Sequence, residues 1–269
     1  MVNCQLSAPD KTRMRVALEK RLSGCPHVIT LGVKPNFDDY STSEQELVRQ
    51  ADKVYYPSVL YADLFNALGK PTFPSYHTYA FAQDKIKQSA LFNLAGLPHP
   101  HTRVFFGRRQ KAAITRHFQF PLIGKIARGS SLGRGVFLIR NLYELEVYCN
   151  QYNPAYIQEY IPIDRDMRIV VIGHNVAHAY WRVVSPGEFR TNVAAGGTID
   201  LSPVPEAARR LALQTAAAGC WDDVGIDICL YRGQFYVLEA NMKYGREGFR
   251  KAGLDYHYIL ERLIVDGTI

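Results

Sequence analysis

Residues 224–241 read VGIDICLYRGQFYVLEAN, two apolar runs separated by Arg232 and Gly233. Apolar runs that reverse at a short polar pair ending in glycine predict a β-hairpin, here with strands over 226–231 and 234–239. Three polar side chains interrupt the runs: Asp227, Glu239 and Asn241. A carboxylate embedded in an apolar strand is costly unless it is paired or binds a cation. Glu239 and Asn241 are two residues apart and therefore share a face of their strand. Three oxygen donors from neighbouring strands suit Mg²⁺, which keeps water and phosphate oxygens in its remaining positions. Buried carboxylates satisfied by arginines such as Arg190 or Arg168 would leave the same pattern, and the hairpin by itself does not separate the two.

Upstream, residues 156–173 read YIQEYIPIDRDMRIVVIG. An apolar strand ends in Gln158, Glu159 and Tyr160, and a polar turn brings Asp164, Asp166 and Arg168 before the next strand. Backbone groups at a strand edge can hydrogen-bond adenine, and a carboxylate one turn away suits ribose hydroxyls. An ordinary hairpin with charged turn residues reads the same way. Further upstream stands GKIARGSSLGRGV at 124–136. Here Lys125 ends a strand and a loop follows with Gly129, Ser130, Ser131, Gly133 and Gly135. Glycines let a backbone approach a ligand closely, consecutive N–H groups can cradle phosphate oxygens, and Lys125, Arg128 and Arg134 can add positive charge. The spacing matches neither GxxxxGK[ST] nor GxGxxG, so the nucleotide folds those motifs mark are not supported.

The rest of the chain falls into two styles. The spacing of Met14, Leu18 and Leu22 predicts a helix over about 9–23. Strands at 27–33 and 53–56 then alternate with helices at 44–51 and 59–68, which argues for a small parallel α/β layer. Residues 70–76, with two prolines, read as a connector. Asp84 caps a helix to about Leu94, ended by Gly96 and the prolines at 98 and 100. Strands at 102–106, 121–127, 136–140, 156–161, 167–172 and 176–184 follow, with helices at 110–118, 142–149, 205–218 and 255–264. Strands that meet without crossover helices imply an antiparallel α+β region.

Composition narrows the class. Of 269 residues, 47% are hydrophobic and 21% charged, values of an ordinary folded chain. No apolar run of about 18 residues occurs and the first residues lack a secretory stretch, so the expected location is the cytoplasm, with no membrane partner. Five scattered cysteines without a CxxC pair indicate reduced thiols rather than a disulfide framework or a zinc site. The net charge of +7 fits an anionic ligand. No basic block and no nucleic-acid module is present, so a nucleic-acid partner is disfavoured.

Taken together and in this order, these segments resemble the RimK-type ATP-grasp enzymes, over about residues 84–264. The resemblance begins with Asp84 and Lys85 opening a helix before Gly96, Leu97, Pro98 and Pro100, and it includes FRTNVAAGG at 189–197 and ANMKYGREGF at 240–249. It implies two α+β subdomains that clamp ATP, preceded by the small parallel layer, with a division at residues 1–82 and 83–269. It implies that Lys85 and Lys125 contact the nucleotide phosphates and that Ser130, Ser131, Gly133 and Gly135 belong to a phosphate lid. Gln158, Glu159 and Tyr160 resemble the adenine-binding strand, Asp166 the ribose contact, and Asp227, Glu239 and Asn241 the ligands of Mg²⁺, with Mn²⁺ as a substitute. Arg190 and Asn192 resemble the groups nearest the transferred phosphoryl, and Arg182 a residue that binds substrate or acyl-phosphate.

The activity this implies is ligation of a carboxylate to an amine, an amino acid being the expected amine, through an acyl-phosphate. A phosphotransferase or a non-catalytic ATP-binding protein on the same fold is the alternative. In relatives, small residues and a proline commonly follow the metal asparagine, whereas this chain has Met242, Lys243 and Tyr244. That stretch borders the expected acceptor pocket, so both substrates stay unnamed; a homo-oligomer is compatible with the sequence.

Overall fold

Val16, Ala17 and Leu18 are fully buried in succession, a pattern no amphipathic helix gives and a central strand requires. The structure, a computed structural model, describes residues 15–81, 84–129, 135–185 and 196–269. Where the sequence spacing predicts a helix over 9–23, it has strand β1 (Val16–Ala17) and a 3-10 turn at Lys20–Leu22. Residues 9–14, with Met14, lie outside the described residues; Leu18, just past β1, and Leu22, in the 3-10 turn, are both fully buried, and their four-residue spacing mimics a helical stripe.

β1 lies inside a parallel four-stranded sheet with β2 (Ile29–Thr30), β3 (Val54–Tyr55) and β4 (Thr72–Phe73), in the order β2-β1-β3-β4. Helix α1 (Thr42–Gln50) starts at Ser41, whose side chain accepts from the Glu44 amide while the Glu44 carboxylate accepts from the Ser41 amide, a capping box. Helix α2 (Ser58–Ala67) supplies Tyr61 and Phe65 to a core shared with Val16, Leu18, Tyr40, Val48 and Val54. The parallel layer is thus as expected. The connector at 70–76 is not: its middle is β4, and the Pro71 carbonyl accepts the Val54 amide. Prolines on both sides of a two-residue strand hid it.

Helix α3 (Tyr76–Phe81) and helix α4 (Lys85–Leu94) follow, α4 capped by Asp84, which accepts the Ile86 and Lys87 amides at 3.1 Å. Strand β5 (Thr102–Phe105) leads into helix α5 (Gly107–Lys111). The helix expected over 110–118 is broken into α5 and a 3-10 turn at Ile114–Arg116. Strands β6 (Leu122–Lys125) and β7 (Val136–Ile139), helix α6 (Leu142–Gln151) and strand β8 (Ala155–Glu159) complete an antiparallel sheet in the order β5-β8-β6-β7. Its core joins Phe105, Ile114, Phe118, Leu122, Ile139, Leu145, Tyr148 and Ile157. β8 is therefore an interior strand, bonded to both β5 and β6.

The next sheet holds β9 (Arg165–Ile172), β10 (Asn175–Val183) and β11 (Thr198–Asp200), then, after helix α7 (Glu206–Ala218), β12 (Asp223–Tyr231) and β13 (Gln234–Asn241), in the order β11-β10-β9-β12-β13. The β12–β13 turn has Arg232 at φ 49° and Gly233 at φ 81°, the left-handed pair a tight hairpin needs. One face of the sheet packs Met167, Ile169, Val171, Ile226 and Ile228 against Ala208, Leu211, Ala212 and Ala216 of α7. Period-two alternation then turns Asp166, Arg168 and Asp227 to the other face. Helix α8 (Glu247–Lys251) follows β13.

Contacts divide the chain into two units, Ala80–Ala252 and the remainder, in which Gly253–Ile269 joins the N-terminal layer. Helix α9 (Tyr256–Val265) is capped by Asp255, and in that unit the Tyr55 hydroxyl donates to the Ile269 carbonyl at 3.1 Å.

Candidate functional site

The site is built within the Ala80–Ala252 unit on three starting points: the first residue of α4, the last of β6 and the open edge of β13. β13 ends its sheet, so its backbone needs partners from elsewhere. Gln88 of α4 supplies them: its amide donates to the Ala240 carbonyl at 2.8 Å and accepts the Ala240 amide at 3.0 Å. The Val237 amide donates to the Pro98 carbonyl. These bonds hold α4 against β13 and bring Lys85 to Glu239, with Nζ 3.0 Å from Oε1. Lys85 is also tied to the other sheet, since its amide donates to the Ala127 carbonyl at 2.9 Å. Beside it, Arg128 Nε donates to Asp84 Oδ2 at 2.9 Å.

Lys125 ends β6 with 7% of its surface exposed. The Tyr148 hydroxyl fixes this strand end: it donates to the carbonyls of Lys125 at 2.7 Å and Tyr156 at 3.0 Å and accepts the Tyr156 amide. Gly124 is required there, because a Cβ would stand 2.7 Å from the Tyr148 ring. Burial pushes the Lys125 ammonium down to about 8; Glu239 opposes that and Lys85, a like charge, assists it. Two buried lysines thus face one half-buried carboxylate, a local surplus of positive charge that an anion would neutralise.

Asp227 sits directly opposite Glu239 in the β12–β13 ladder, and a bulge at Leu238 follows. Across the other ladder Asp227 pairs with Arg168, and on β9–β10 Arg182 pairs with Asp166. All four side chains are buried. Arg168 Nε and Nη2 hold the two Asp227 oxygens, the second at 2.9 Å, and Arg182 Nη2 lies 3.0 Å from Asp227 Oδ2. Arg182 also holds both oxygens of Asp166, at 2.7 and 2.5 Å. Burial works against ionising Asp227, but the two guanidinium groups prevail and hold its carboxyl below the usual range. For Arg182 burial likewise opposes the charge, and Asp166 and Asp227 outweigh it, raising the guanidinium above its ordinary value.

Of the metal-ligand candidates, Glu239 and Asn241 are half-buried on one face of β13. Among the described residues Asp227 receives two N–H bonds from Arg168 and an ion-pair contact from Arg182, against the about four acceptor directions a carboxylate has. The donor set of two carboxylates and an amide oxygen fits a hard divalent cation. Among the described residues no cluster of three His, Cys, Asp or Glu forms a site of its own. Asp227 is thus paired with arginines, one of the two partners the sequence pattern allowed, and Glu239 with Lys85.

The remaining candidates are spread. Gln158 is buried and donates to Thr102 Oγ1 at 2.9 Å; Glu159 is exposed and accepts the His101 amide at 2.7 Å. The Glu159 amide itself donates to the His101 carbonyl, and Tyr160 is the first residue past the end of β8. Asp166, at 1% exposure, spends both oxygens on Arg182. The carbonyl of Gly135 accepts the Ile126 amide at 2.7 Å. Ser130, Ser131, Gly133, Arg190 and Asn192 lie outside the described residues. Sequence reasoning missed Gln88 and Tyr148, and named Tyr244 without its contacts. The Tyr244 hydroxyl donates to buried Asp223 at 2.6 Å and its carbonyl accepts Arg168 Nη1 at 2.8 Å. A tyrosine where small residues were expected was the available signal.

No helix among the described residues is long and apolar enough to cross a membrane. A family model described as the RimK-like ATP-grasp domain matches residues 82–264. A probable alpha-L-glutamate ligase from Haemophilus influenzae is 31% identical over 196 residues, covering 70% of this chain and 65% of that protein. The chain spans under two thirds of the length of the curated relatives it matches. Among solved structures, a RimK domain ATP-grasp protein from Sphaerobacter thermophilus aligns with a TM-score of 0.66 at 16% identity, over 93% of this chain and 99% of that one. The ATP-grasp ligase PsnB, complexed with a phosphomimetic variant of a minimal precursor, Mg and ADP, aligns at 0.70 and 16% identity, over 95% of this chain and 98% of that one. These likenesses show the ATP-grasp fold.

Proposed function

This chain belongs to the RimK-like ATP-grasp family, and on that premise we propose that it is an ATP- and Mg²⁺-dependent ligase joining a carboxylate to an amine through an acyl-phosphate. The observation that carries the reading is the pair of buried lysines, Lys85 and Lys125, gathered at Glu239 beside Asp227. That arrangement supports a polyphosphate on the lysines and a divalent cation on the oxygen donors. Mg²⁺, or Mn²⁺ in its place, would be held by Glu239, Asn241 and Asp227, and would supply neutralisation of charge on the phosphates as the phosphoryl group transfers.

The chain's residues position and stabilise. Lys85 and Lys125 bind phosphate oxygens as point charges. Ser130, Ser131 and Gly133, outside the described residues, take from the resemblance the role of a phosphate lid together with Gly135, one that backbone amides would serve. Tyr160, past the end of β8, offers backbone to adenine, with Gln158 and Glu159 setting the strand end. Arg182 faces the reacting region, its guanidinium oriented by Asp166. Arg190 and Asn192, outside the described residues, take from the resemblance the role of groups for the transferred phosphoryl, where a planar fork of donors suits the developing charge. The substrate carboxylate attacks the γ phosphorus, releasing ADP; the amine then attacks the acyl carbon and releases phosphate. Five scattered cysteines without a CxxC pair suit a cytoplasmic location.

The names of the relatives direct the choice of carboxylate and amine. The Haemophilus protein is called a glutamate ligase and another relative a ribosomal protein bS6–L-glutamate ligase. An amino acid is therefore the first amine to test, against peptide carboxylates. Purified protein with MgATP is screened with amino acids and short peptides for release of ADP and phosphate. The ligase reading expects release that depends on both an acceptor and an amine, with mass added to the acceptor. ADP formation indifferent to every amine would make the protein a phosphotransferase, and no hydrolysis or nucleotide binding would make it a silent relative.

A further inference from the structure

Residues 85–143 contain eleven Lys and Arg and no Asp or Glu, while the remaining residues hold 21 Lys and Arg against 25 Asp and Glu. Several of these cations are accounted for: Lys85 and Lys125 lie in the site, Arg128 pairs with Asp84 and Arg140 with Glu144. The segment made of β5, α5 and the 3-10 turn after it differs. Arg103, Arg108, Arg109 and Arg116 are exposed, and among the described residues none of them has an acidic partner. Arg103 Nη1 instead lies 3.2 Å from His117 Nδ1, and its guanidinium stacks over Phe105. Four arginines without carboxylates, on one stretch of surface chain, form an anion-directed face.

The strand in this segment is open. β5 ends its sheet, and among the described residues the backbone of Thr102–Phe105 makes no hydrogen bond except with β8. An unpaired edge accepts another chain in extended conformation, and the charge on it decides which chain. A second copy of this protein would set Arg103 against Arg103, so self-pairing is opposed. A nucleic acid satisfies arginines but has no repeating amide to add to a strand edge. We propose that the free edge of β5, with Arg103, Arg108, Arg109 and Arg116 on and after it, docks an extended acidic segment of a partner polypeptide. Backbone bonds to β5 give the segment its register, and its carboxylates take the arginine forks, which match carboxylate geometry. The docking is independent of ligation chemistry and of nucleotide.

The test uses the full chain and fluorescently labelled short peptides of alternating Glu and Thr, alternating Ser and Thr, and the Glu-Thr peptide with alternate amides N-methylated. Binding is followed by anisotropy at low salt without ATP, with an oligothymidylate of equal charge as a further probe. The proposal expects the Glu-Thr peptide to bind most tightly, N-methylation to abolish binding, and Arg103→Glu combined with Arg108→Glu and Arg109→Glu to weaken it by on the order of tenfold or more. The arginines are exposed, so the variant should melt with the parent, and ATP-dependent thermal stabilisation, measured alongside, should be unchanged. Equal binding of the Ser-Thr peptide, of the methylated peptide or by the charge-reversed protein would overturn the proposal. Tighter binding of oligothymidylate than of the Glu-Thr peptide would overturn it in favour of a nucleic-acid face.

Discussion

The Lys85 ammonium lies 3.0 Å from the Glu239 carboxylate, at the junction of the first turn of α4 and the open edge of β13. On the proposed reading this pair joins a phosphate-directed cation to a metal-directed oxygen donor, so one substitution separates their roles. Glu239→Gln keeps the size but removes the charge that opposes two buried lysines. We expect Mg²⁺-dependent stabilisation by a non-hydrolysable ATP analogue to fall sharply, with metal-independent stabilisation retained or strengthened, because the anion now meets uncompensated lysines. Thermal shifts with analogue alone, with Mg²⁺ and with Mn²⁺ read this out; unchanged metal dependence removes Glu239 from the metal site.

Lys125 gives the site a pH signature. Its folded value of about 8 lies below its ordinary 10.5. Between these the unfolded chain holds a proton that the folded enzyme has released, so this group's contribution to stability rises with pH across that window, and its burial costs most below about pH 8. A bound triphosphate favours the charged ammonium, so binding should take up a proton near and above pH 8, and affinity should fall as pH rises further. Titration calorimetry at about pH 8.5 in buffers of different ionisation enthalpy checks this. Heats that do not vary with buffer, or a Lys125→Met protein with the same uptake, would refute it.

Much of this site was legible because its residues break a rule. Asp227 and Glu239 stood out as charges in apolar strands, and Arg232–Gly233 marked the turn between them. The glycine-rich stretch after Lys125 falls mostly on residues 130–134, outside the described residues. What stayed hidden depends on partners distant in sequence. Gln88 looks like any polar helix residue until the β13 edge it satisfies is known. Asp166 appears as one of several turn charges, and only strand register shows it opposite Arg182. In the parallel layer, two-residue strands are too short for periodicity to speak, and the stretch with β1 was read as helix because Leu18 and Leu22, buried before and within a 3-10 turn, stand four apart.

The close packing of Gly124 on Tyr148 predicts a specific cost. Gly124→Ala places a methyl 2.7 Å from the Tyr148 ring and 2.9 Å from Ile139 Cδ1, both buried, so overpacking should cost about 1–3 kcal/mol. Tyr148→Phe leaves the Tyr156 amide and the Lys125 carbonyl without their hydroxyl partner and should cost a comparable amount, about 1–3 kcal/mol. Urea denaturation of both proteins tests this. If Gly124→Ala is neutral, the Tyr148 ring gives way to the methyl and glycine is not required at this position.

The role of Asp166 can be decided between two uses of one carboxylate. As a ribose contact it would need an oxygen facing the nucleotide; as found, it is 1% exposed and both oxygens receive Arg182. Asp166→Asn preserves shape but leaves Arg168 and Arg182 sharing only Asp227, an unbalanced buried charge. Breaking a buried pair in this way typically costs about 3–5 kcal/mol, less where an amide oxygen keeps one bond. We expect the variant to melt earlier, to bind ATP with little change and to turn over more slowly, because Arg182 loses the group that orients it. A ribose contact predicts something else: wild-type preference for ATP over 2′-deoxy-ATP that disappears in the variant. Comparing the two nucleotides in both proteins, by affinity and by turnover, separates these outcomes. A nucleotide preference lost on substitution, with stability unchanged, would return Asp166 to the ribose and remove it from the positioning of Arg182.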